Sequence, residues 1–150
     1  MNGAVEVRFA RSRADFEAIL EIRRLVFREE QGLVQNSLVD PDDAASVHVM
    51  ATVDGRVVSV GRITPPNARR PEASIAWVAT RREERGRGYG GLVVRGLLET
   101  AEAREFPVVS LTAQAHAIHF YESFGFKSYG KRFDLGGVEH QQMERRIEPG

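Results

Sequence analysis

The sequence contains no cysteine, which excludes a disulfide scaffold, a thiolate metal site and a cysteine nucleophile. It also lacks an excess of charge, since 21 Lys and Arg residues balance 21 Asp and Glu residues. A general nucleic-acid-binding protein needs surplus cations, so no nucleic-acid partner is expected, although a local basic site for one polyphosphate stays open. No apolar run reaches membrane-spanning length, and Met1 to Arg8 is too short and too polar for a signal peptide. We therefore expect a cytoplasmic protein without a membrane partner.

The chain has no internal repeat, low-complexity tract or linker that would divide it. Its 150 residues suit one domain, and a domain of this size buries enough surface to fold without a disulfide or metal. Hydrophobic residues make up 42% and charged residues 28%, which is the balance of an ordinary globular protein. The sequence therefore predicts a single domain over residues 1–150.

Hydrophobic periodicity predicts the element order β-α-β-β-β-α-β-α-β-β. Strands are expected at residues 5–9, 47–53, 56–64, 75–80, 108–112, 126–133 and 138–147, and helices at 16–27, 92–104 and 115–124. Gly32 is the expected end of the first helix. Asp54-Gly55 and Gly136-Gly137 are expected to turn two hairpins, because glycine permits the positive φ that tight turns require. Antiparallel hairpins flanking one helical crossover predict an α/β fold with a mixed (α+β) sheet rather than a doubly wound one.

A glycine-rich segment, Arg85-Gly86-Arg87-Gly88-Tyr89-Gly90-Gly91, lies between a predicted strand and a predicted helix. Glycine lets the backbone approach a ligand with no Cβ in the way. The first amides of a helix lack intrahelical partners and, together with the helix dipole, form an anion site. Arg85 and Arg87 add positive charge suited to phosphate. The segment therefore predicts a site for a pyrophosphate.

Other interpretations of this segment have weaker support. Gly86, Gly88 and Gly91 satisfy the dinucleotide pattern GxGxxG, but a Rossmann unit also needs an acid at the end of the next strand. That strand here ends Leu111-Thr112-Ala113-Gln114, without an acid, and the Gly-Lys-Ser/Thr ending of a nucleoside triphosphate loop is absent. A glycine-rich turn with no ligand would cost helix stability without a use. A dinucleotide-binding oxidoreductase is thus the more distant alternative.

Two motifs resemble those of the GNAT superfamily. Val78-Ala79-Thr80, followed after four residues by the glycine segment, resembles its acetyl-CoA signature, R-G-x-G-x-G/A after a V-A-V-like strand end. Residues 120–126, Phe-Tyr-Glu-Ser-Phe-Gly-Phe, are similar to its F-Y-x-x-x-G-F segment. Three further stretches are similar to ElaA-like members: Val26-Phe27 with Glu30-Gln31, Ala113-Gln114-Ala115-His116, and Gly137-Val138-Glu139-His140 with Met143. The departures are Thr80 for an apolar residue and Gln114 where many members carry Asn.

The resemblance implies a GNAT-like fold and acetyl-CoA as co-substrate. The residues implied in binding it are Val78, Ala79, Thr80, Arg85, Gly86, Arg87, Gly88, Tyr89, Gly90, Gly91 and Gln114. It also implies that a primary amine attacks the thioester directly, in a ternary complex without an acyl-enzyme. A non-catalytic acyl-CoA-binding module of the same fold is the alternative function.

Three catalytic tasks follow from that chemistry. Tyr121 occupies the place of the family tyrosine whose hydroxyl points at the CoA sulfur, and it is the expected general acid. Its presence argues against a pure binding module, which needs no acid at the sulfur. The backbone at residues 78–80 is expected to donate to the carbonyl oxygen. The attacking amine must be neutral, and its proton acceptor is open between Glu30, His116, His48 and a water chain.

The acceptor is expected to be a small-molecule or peptide amine that these residues do not identify. Asp40, Asp42 and Asp43 could steer a cationic amine or could form a mobile, soluble loop. The exposed strands of the last hairpin could pair two subunits into a homodimer.

His116, His119 and Glu122 suggest a metal site, with His140 or His48 as further ligands. Two-histidine zinc helices usually space their histidines by four residues rather than three. No metal is therefore expected.

Overall fold

A computed structural model describes residues 3–34 and 37–148. Seven strands form one sheet in the order β1-β2-β3-β4-β5-β7-β6. Their bounds are β1 Val5–Phe9, β2 Val47–Val53, β3 Arg56–Thr64, β4 Ala73–Thr80, β5 Val108–Gln114, β6 Lys127–Leu135 and β7 Val138–Arg146. Neighbouring strands are antiparallel except β4 and β5, which are parallel. The predicted α/β fold with a mixed sheet is confirmed.

Three α-helices connect these strands: α1 Arg13–Arg23, α2 Tyr89–Ala103 and α3 Ile118–Glu122. The Ser12 side chain caps α1 by accepting a hydrogen bond from the Asp15 backbone N–H at 3.1 Å. The helix continues as a π-helical segment over Arg24–Glu30, and the chain then leaves it at Gly32, which has a φ of +65°. None of the helices within residues 3–34 and 37–148 is long and apolar enough to cross a membrane.

Both predicted hairpin turns have the backbone that their glycines allow. Asp54 and Gly55 have φ values of +50° and +83°, and Gly136 and Gly137 have values of +64° and +83°. Positive φ at both central residues is the signature of a type I′ turn, whose twist matches that of the strands. The turns fix the registers of β2 with β3 and of β6 with β7.

The sheet is covered on both faces. On one face α2 and α3 bury a core that includes Val49, Val93, Leu97 and Phe126. On the other face α1 and its π-helical extension bury a smaller core around Ile22, Met50 and Val60. The period of two along β2, which sends Val49 and Met50 to opposite faces, supplies both cores from one strand.

The sheet opens between β4 and β5. Residues 73–75 of β4 pair with residues 109–111 of β5, and beyond that point the two strands diverge. A β-bulge in β4 lies at the divergence, because Val60 pairs with Ala79 and Arg62 with Ala76, so that two residues of β4 face one residue of β3. One of the bulged residues, Trp77, has a φ of +58°, an uncommon and strained conformation for an aromatic residue. The bulge therefore turns the end of β4 away from β5 and leaves a cleft in the sheet.

Candidate active site

The cleft between β4 and β5 has two halves. The glycine half has a volume of about 830 Å3 and is bordered by residues 78–80, most of the segment 84–91, and Phe120. The hairpin half has a volume of about 360 Å3 and extends to Leu135, Gly136 and His140 of the β6–β7 hairpin. Seven residues border both halves: Val26, Gln31, Val78, Gln114, His116, Ala117 and Tyr121.

The four glycines of the segment have two different structural roles. Gly86 and Gly88 have φ values of +80° and +84°, and a Cβ added to either would meet no atom within 4 Å. Gly90 and Gly91 lie in α2, where a Cβ would come within 3.3 Å of the Thr80 hydroxyl and 3.4 Å of the Phe124 ring respectively. The first pair thus shapes an open backbone loop before α2. The second pair lets α2 pack closely on β4 and on the region of α3.

The N-terminus of α2 faces the glycine half. Gly88 is the N-cap residue and has no side chain with which to satisfy the first amides of the helix. Tyr89, Gly90 and Gly91 border the cleft, so unpaired amides and the positive end of the helix dipole lie beside it. This arrangement suits an anion, and the pyrophosphate site stays a prediction.

The predicted charged residues of this half are already paired. Both carboxylate oxygens of Glu30 accept hydrogen bonds of 2.6 Å from the Arg85 guanidinium. This bonding lowers the pKa of Glu30 and raises that of Arg85. Glu30 is therefore a weak proton acceptor, and its visible role is to tie the π-helical segment to the glycine segment. Arg87, predicted to contact the cofactor, does not border the cleft, and its exposed guanidinium bonds to Glu84 at 3.3 Å.

Thr80, which departs from the family pattern, is explained by its neighbour. The Thr80 hydroxyl lies 2.8 Å from the Ser59 hydroxyl on the adjacent strand. The polar group is thus satisfied within the sheet, and the residue still borders the cleft.

Tyr121 lies at the junction of the two halves. Its ring contacts those of Phe120 and Phe126, at centroid distances of 5.0 Å and 6.0 Å. Burial raises the pKa of the Tyr121 hydroxyl, and no charge or hydrogen bond from the described residues offsets this effect. The hydroxyl is therefore protonated at every physiological pH and is available to donate to a ligand.

A pair of amide side chains bridges the floor of the cleft. Gln114 donates to Gln31 at 2.8 Å, and Gln31 donates back at 3.3 Å. The pair joins the end of the π-helical segment to the end of β5. Gln114, predicted as a cofactor contact, thus borders both halves as part of an uncharged bridge.

Aromatic side chains build one wall of the hairpin half. Phe27 meets Trp77 edge to face, with ring centroids 5.1 Å apart. The Arg23 guanidinium lies 4.6 Å from the centre of the Trp77 ring and is itself almost fully buried. Sequence reasoning missed Trp77, since nothing in the strand pattern of residues 73–80 marks the bulge.

The three acids predicted to steer an amine form ion pairs outside the cleft. Asp43 is buried and accepts hydrogen bonds from Arg23 at 2.9 and 3.0 Å and from Arg62 at 2.7 Å. Asp40 pairs with Arg62 at 3.2 Å, and Asp42 pairs with Arg69 at 2.8 Å. These carboxylates do not border the cleft. They hold the segment before β2 onto β3, which supports Trp77 through Arg23.

Two of the histidines border the cleft, and His48 lies elsewhere. His140, 5% exposed, borders the hairpin half, and its Nδ1 lies 2.8 Å from the Val138 carbonyl oxygen. A carbonyl oxygen only accepts, so Nδ1 donates to it and carries a proton. His116 is exposed at the junction of the halves. His48 borders a separate cavity beside α1, and its Nε2 lies 3.0 Å from the Asp43 carbonyl.

In the sequence, His140 belongs to a stretch similar to ElaA-like members and is a possible metal ligand, and neither observation indicates a catalytic role. The signal for a role in the cleft is its register, since it lies directly opposite Gln114 on the neighbouring strand. His119 is exposed and pairs with Glu122 at 2.9 Å. In the part of the chain that the structure describes, no three His, Asp or Glu residues are grouped to hold a metal ion.

Comparison with known proteins identifies relatives over most of the chain. The model of the acetyltransferase (GNAT) family matches residues 16–126. The UPF0039 protein sll0451 of Synechocystis is 37% identical over 136 residues, which cover 87% of this chain and 86% of that protein.

Solved structures are similar in fold. The Escherichia coli ElaA structure gives a TM-score of 0.84 at 27% identity, over 95% of this chain and 100% of that one. An acyl-CoA N-acyltransferase from Pseudomonas aeruginosa gives 0.83 at 26% identity, over 95% and 99%. The yncA protein of Salmonella typhimurium, solved with acetyl-CoA, gives 0.78 at 18% identity over 98% and 96%, which shows a shared fold.

Proposed function

Because the chain belongs to the acetyltransferase (GNAT) family, we propose that it transfers an acetyl group from acetyl-CoA to a primary amine. The observation that carries the proposal is Tyr121, which has a protonated hydroxyl and lies where a loop suited to a pyrophosphate meets a second space. Two substrates can occupy the two halves of the cleft at once. We therefore propose direct attack within a ternary complex, without an acyl-enzyme.

The glycine half fits acetyl-CoA. Gly86 and Gly88 leave open space beside their backbone, and the first amides of α2 face it, which suits the pyrophosphate. Val78 to Thr80 form the edge of β4 that β5 leaves unpaired, so their backbone can bond the extended arm and the thioester carbonyl. When bound there, acetyl-CoA supplies an activated thioester, so that a C–N bond forms as the C–S bond breaks.

The hairpin half offers a candidate for the proton acceptor that this chemistry needs. His140 uses its Nδ1 for the Val138 carbonyl and borders a space that Tyr121 also borders, so Nε2 is the ring nitrogen left to accept a proton. We propose that His140 receives the proton that the amine loses, directly or through one water, while Tyr121 donates its proton to the departing sulfur. Glu30 has no such role in this account, because the Arg85 guanidinium holds both of its oxygens.

A binding assay and a turnover assay test the proposal in sequence. Acetyl-CoA and CoA should each raise the melting temperature of the protein, whereas NAD should not. Primary amines of varied chemistry are then screened with acetyl-CoA, and release of CoA is followed with a thiol reagent. Stabilisation by acetyl-CoA without turnover on any amine would favour the acyl-CoA-binding module. Stabilisation by NAD alone would favour the oxidoreductase.

A further inference from the structure

Charge is divided unequally between the two halves of the cleft. Glu30, Glu84 and Arg85 border the glycine half. Among the described residues, the hairpin half is bordered by no Lys, Arg, Asp or Glu at all. Its walls are mainly aliphatic and aromatic: Val26, Phe27, Leu33, Val34, Ile75, Trp77, Leu111 and Leu135.

The charges behind these walls are already neutralised. Arg23 lies against the Trp77 ring, but its guanidinium is bonded to both oxygens of Asp43 and to the Leu38 carbonyl. Arg62 shares the same carboxylate. This buried network therefore offers no free charge to a ligand in the hairpin half.

A ligand that carried a second charge would be poorly accommodated here. A buried carboxylate or ammonium without an opposite charge loses its hydration and gains no partner. The reacting amine itself gains from the same environment, because desolvation favours the neutral form of an amine and lowers its pKa. The neutral form is the one that attacks a thioester.

We propose that the acceptor is a primary amine carried on an uncharged, apolar group, such as an aryl-alkyl or a straight alkyl chain. The inference rests on the proposed function and deepens it by naming the substrate class. A volume of about 360 Å3 suits a small molecule of this kind. It disfavours polyamines and free amino acids, whose additional charges find no partner among the residues of this half.

Matched pairs of amines test the inference. Hexylamine is compared with hexamethylenediamine, which adds one ammonium, and phenylalaninamide with phenylalanine, which replaces a neutral amide by a carboxylate. We expect kcat/KM for the less charged member of each pair to be larger by at least about tenfold, the ratio that corresponds to roughly 1.4 kcal/mol. Equal or larger values for the more charged members would overturn the inference.

A variant that adds a charge to the hairpin half provides an independent test. Leu135 borders this half and is 55% exposed, so Leu135→Glu is compatible with folding. We expect it to raise kcat/KM for hexamethylenediamine relative to hexylamine by about tenfold or more. Ser128→Glu is the matched control, since it adds the same charge to an exposed position of β6 outside both halves and should leave the ratio unchanged.

The outcomes separate this inference from the proposed function. If every amine fails while acetyl-CoA still stabilises the protein, the proposed function fails with it. If charged amines are acetylated best, the proposed function stands and the substrate class is wrong. If Leu135→Glu and Ser128→Glu change the ratio equally, the hairpin half does not select the acceptor.

Discussion

The Tyr121 side chain combines a half-buried ring with a hydroxyl that donates to none of the described residues. Removing only the hydroxyl keeps the ring contacts with Phe120 and Phe126. We expect Tyr121→Phe to lower kcat by about 10²- to 10⁴-fold, the usual contribution of a positioned acid, with little change in acetyl-CoA affinity. Single-turnover rates and a binding titration on the same protein measure both quantities.

The same burial predicts a pH dependence. Because burial raises the pKa of Tyr121, the hydroxyl should not ionise as the pH rises to about 10, where an exposed tyrosine titrates. The wild-type rate should therefore show no decline from tyrosine ionisation below that pH.

Two results would contradict the role of Tyr121 as a general acid. An unchanged kcat in Tyr121→Phe would show that the hydroxyl does not take part in the reaction, and a large loss of stability would show that it is structural.

Two histidines compete for the role of proton acceptor. We expect His140→Gln to lower kcat/KM by about 10²-fold or more. His116→Gln is the matched control, since His116 is exposed and also borders the cleft. We expect it to keep most of the rate. If His116→Gln lowers the rate strongly and His140→Gln does not, His116 is the proton acceptor instead.

The turn into α2 is the element on which cofactor binding depends. Gly88 has a φ of +84° and open space beside it, so Gly88→Ala adds a methyl group to the anion site and strain to the backbone. Gly55 is a matched control, with a φ of +83° and the same open surroundings in a distant hairpin. Each alanine should cost roughly 1–2 kcal/mol of stability.

Only Gly88→Ala should also reduce the rise in melting temperature that acetyl-CoA produces. The comparison separates strain, which the two variants share, from loss of the binding surface, which only one suffers. If acetyl-CoA raises the melting temperature of both variants equally, the pyrophosphate does not bind at this turn.

The segment before β2 is held by the network around Asp43. Burial alone would raise the pKa of Asp43, but hydrogen bonds from Arg23, the Asp40 backbone N–H and Arg62 outweigh it and lower the pKa to about 2. An unfolded Asp titrates near 3.9, so the stabilisation is complete above about pH 4 and is lost as the pH falls through about 2. Urea unfolding measured from neutral to acidic pH should show this loss.

Removing the carboxylate should have a large effect at neutral pH. Asp43→Ala leaves Arg23 and Arg62 with reduced compensation in a buried site and should cost about 3–5 kcal/mol. Glu17→Ala removes an exposed partner of Arg13 and should cost less than about 1 kcal/mol. In Asp43→Ala the acid-dependent part of the unfolding free energy should also shrink. If the two variants were equally stable, the network would not hold the segment.

At the scale of the whole molecule, much of the fold follows from local patterns. The alternation of apolar and polar residues predicts the exact bounds of β2 and β3, and Asp54-Gly55 predicts the turn between them. Element ends were less accurate, because α2 begins at Tyr89 rather than at residue 92 and so includes two glycines that the pattern assigns to a loop. The π-helical extension of α1 was not predicted, since its ends depend on packing rather than on periodicity.

The site was predictable only in part, for a similar reason. A glycine segment and an aromatic motif are contiguous in sequence, so they indicate the residues around the proposed cofactor directly. The hairpin half is assembled from five separate stretches around the bulge at Trp77, and no local signal brings them together. The pairing of Glu30 with Arg85, 55 residues apart, likewise changes the role that a sequence match suggests.

One kinetic measurement tests the central claim of two substrates in one cleft. Initial rates of CoA release are recorded while acetyl-CoA and the best amine of the screen are both varied. A ternary complex requires saturation in each substrate and double-reciprocal lines that intersect, and we expect this result. Parallel lines would indicate an acyl-enzyme, and CoA release that does not depend on the amine would contradict acetyl transfer altogether.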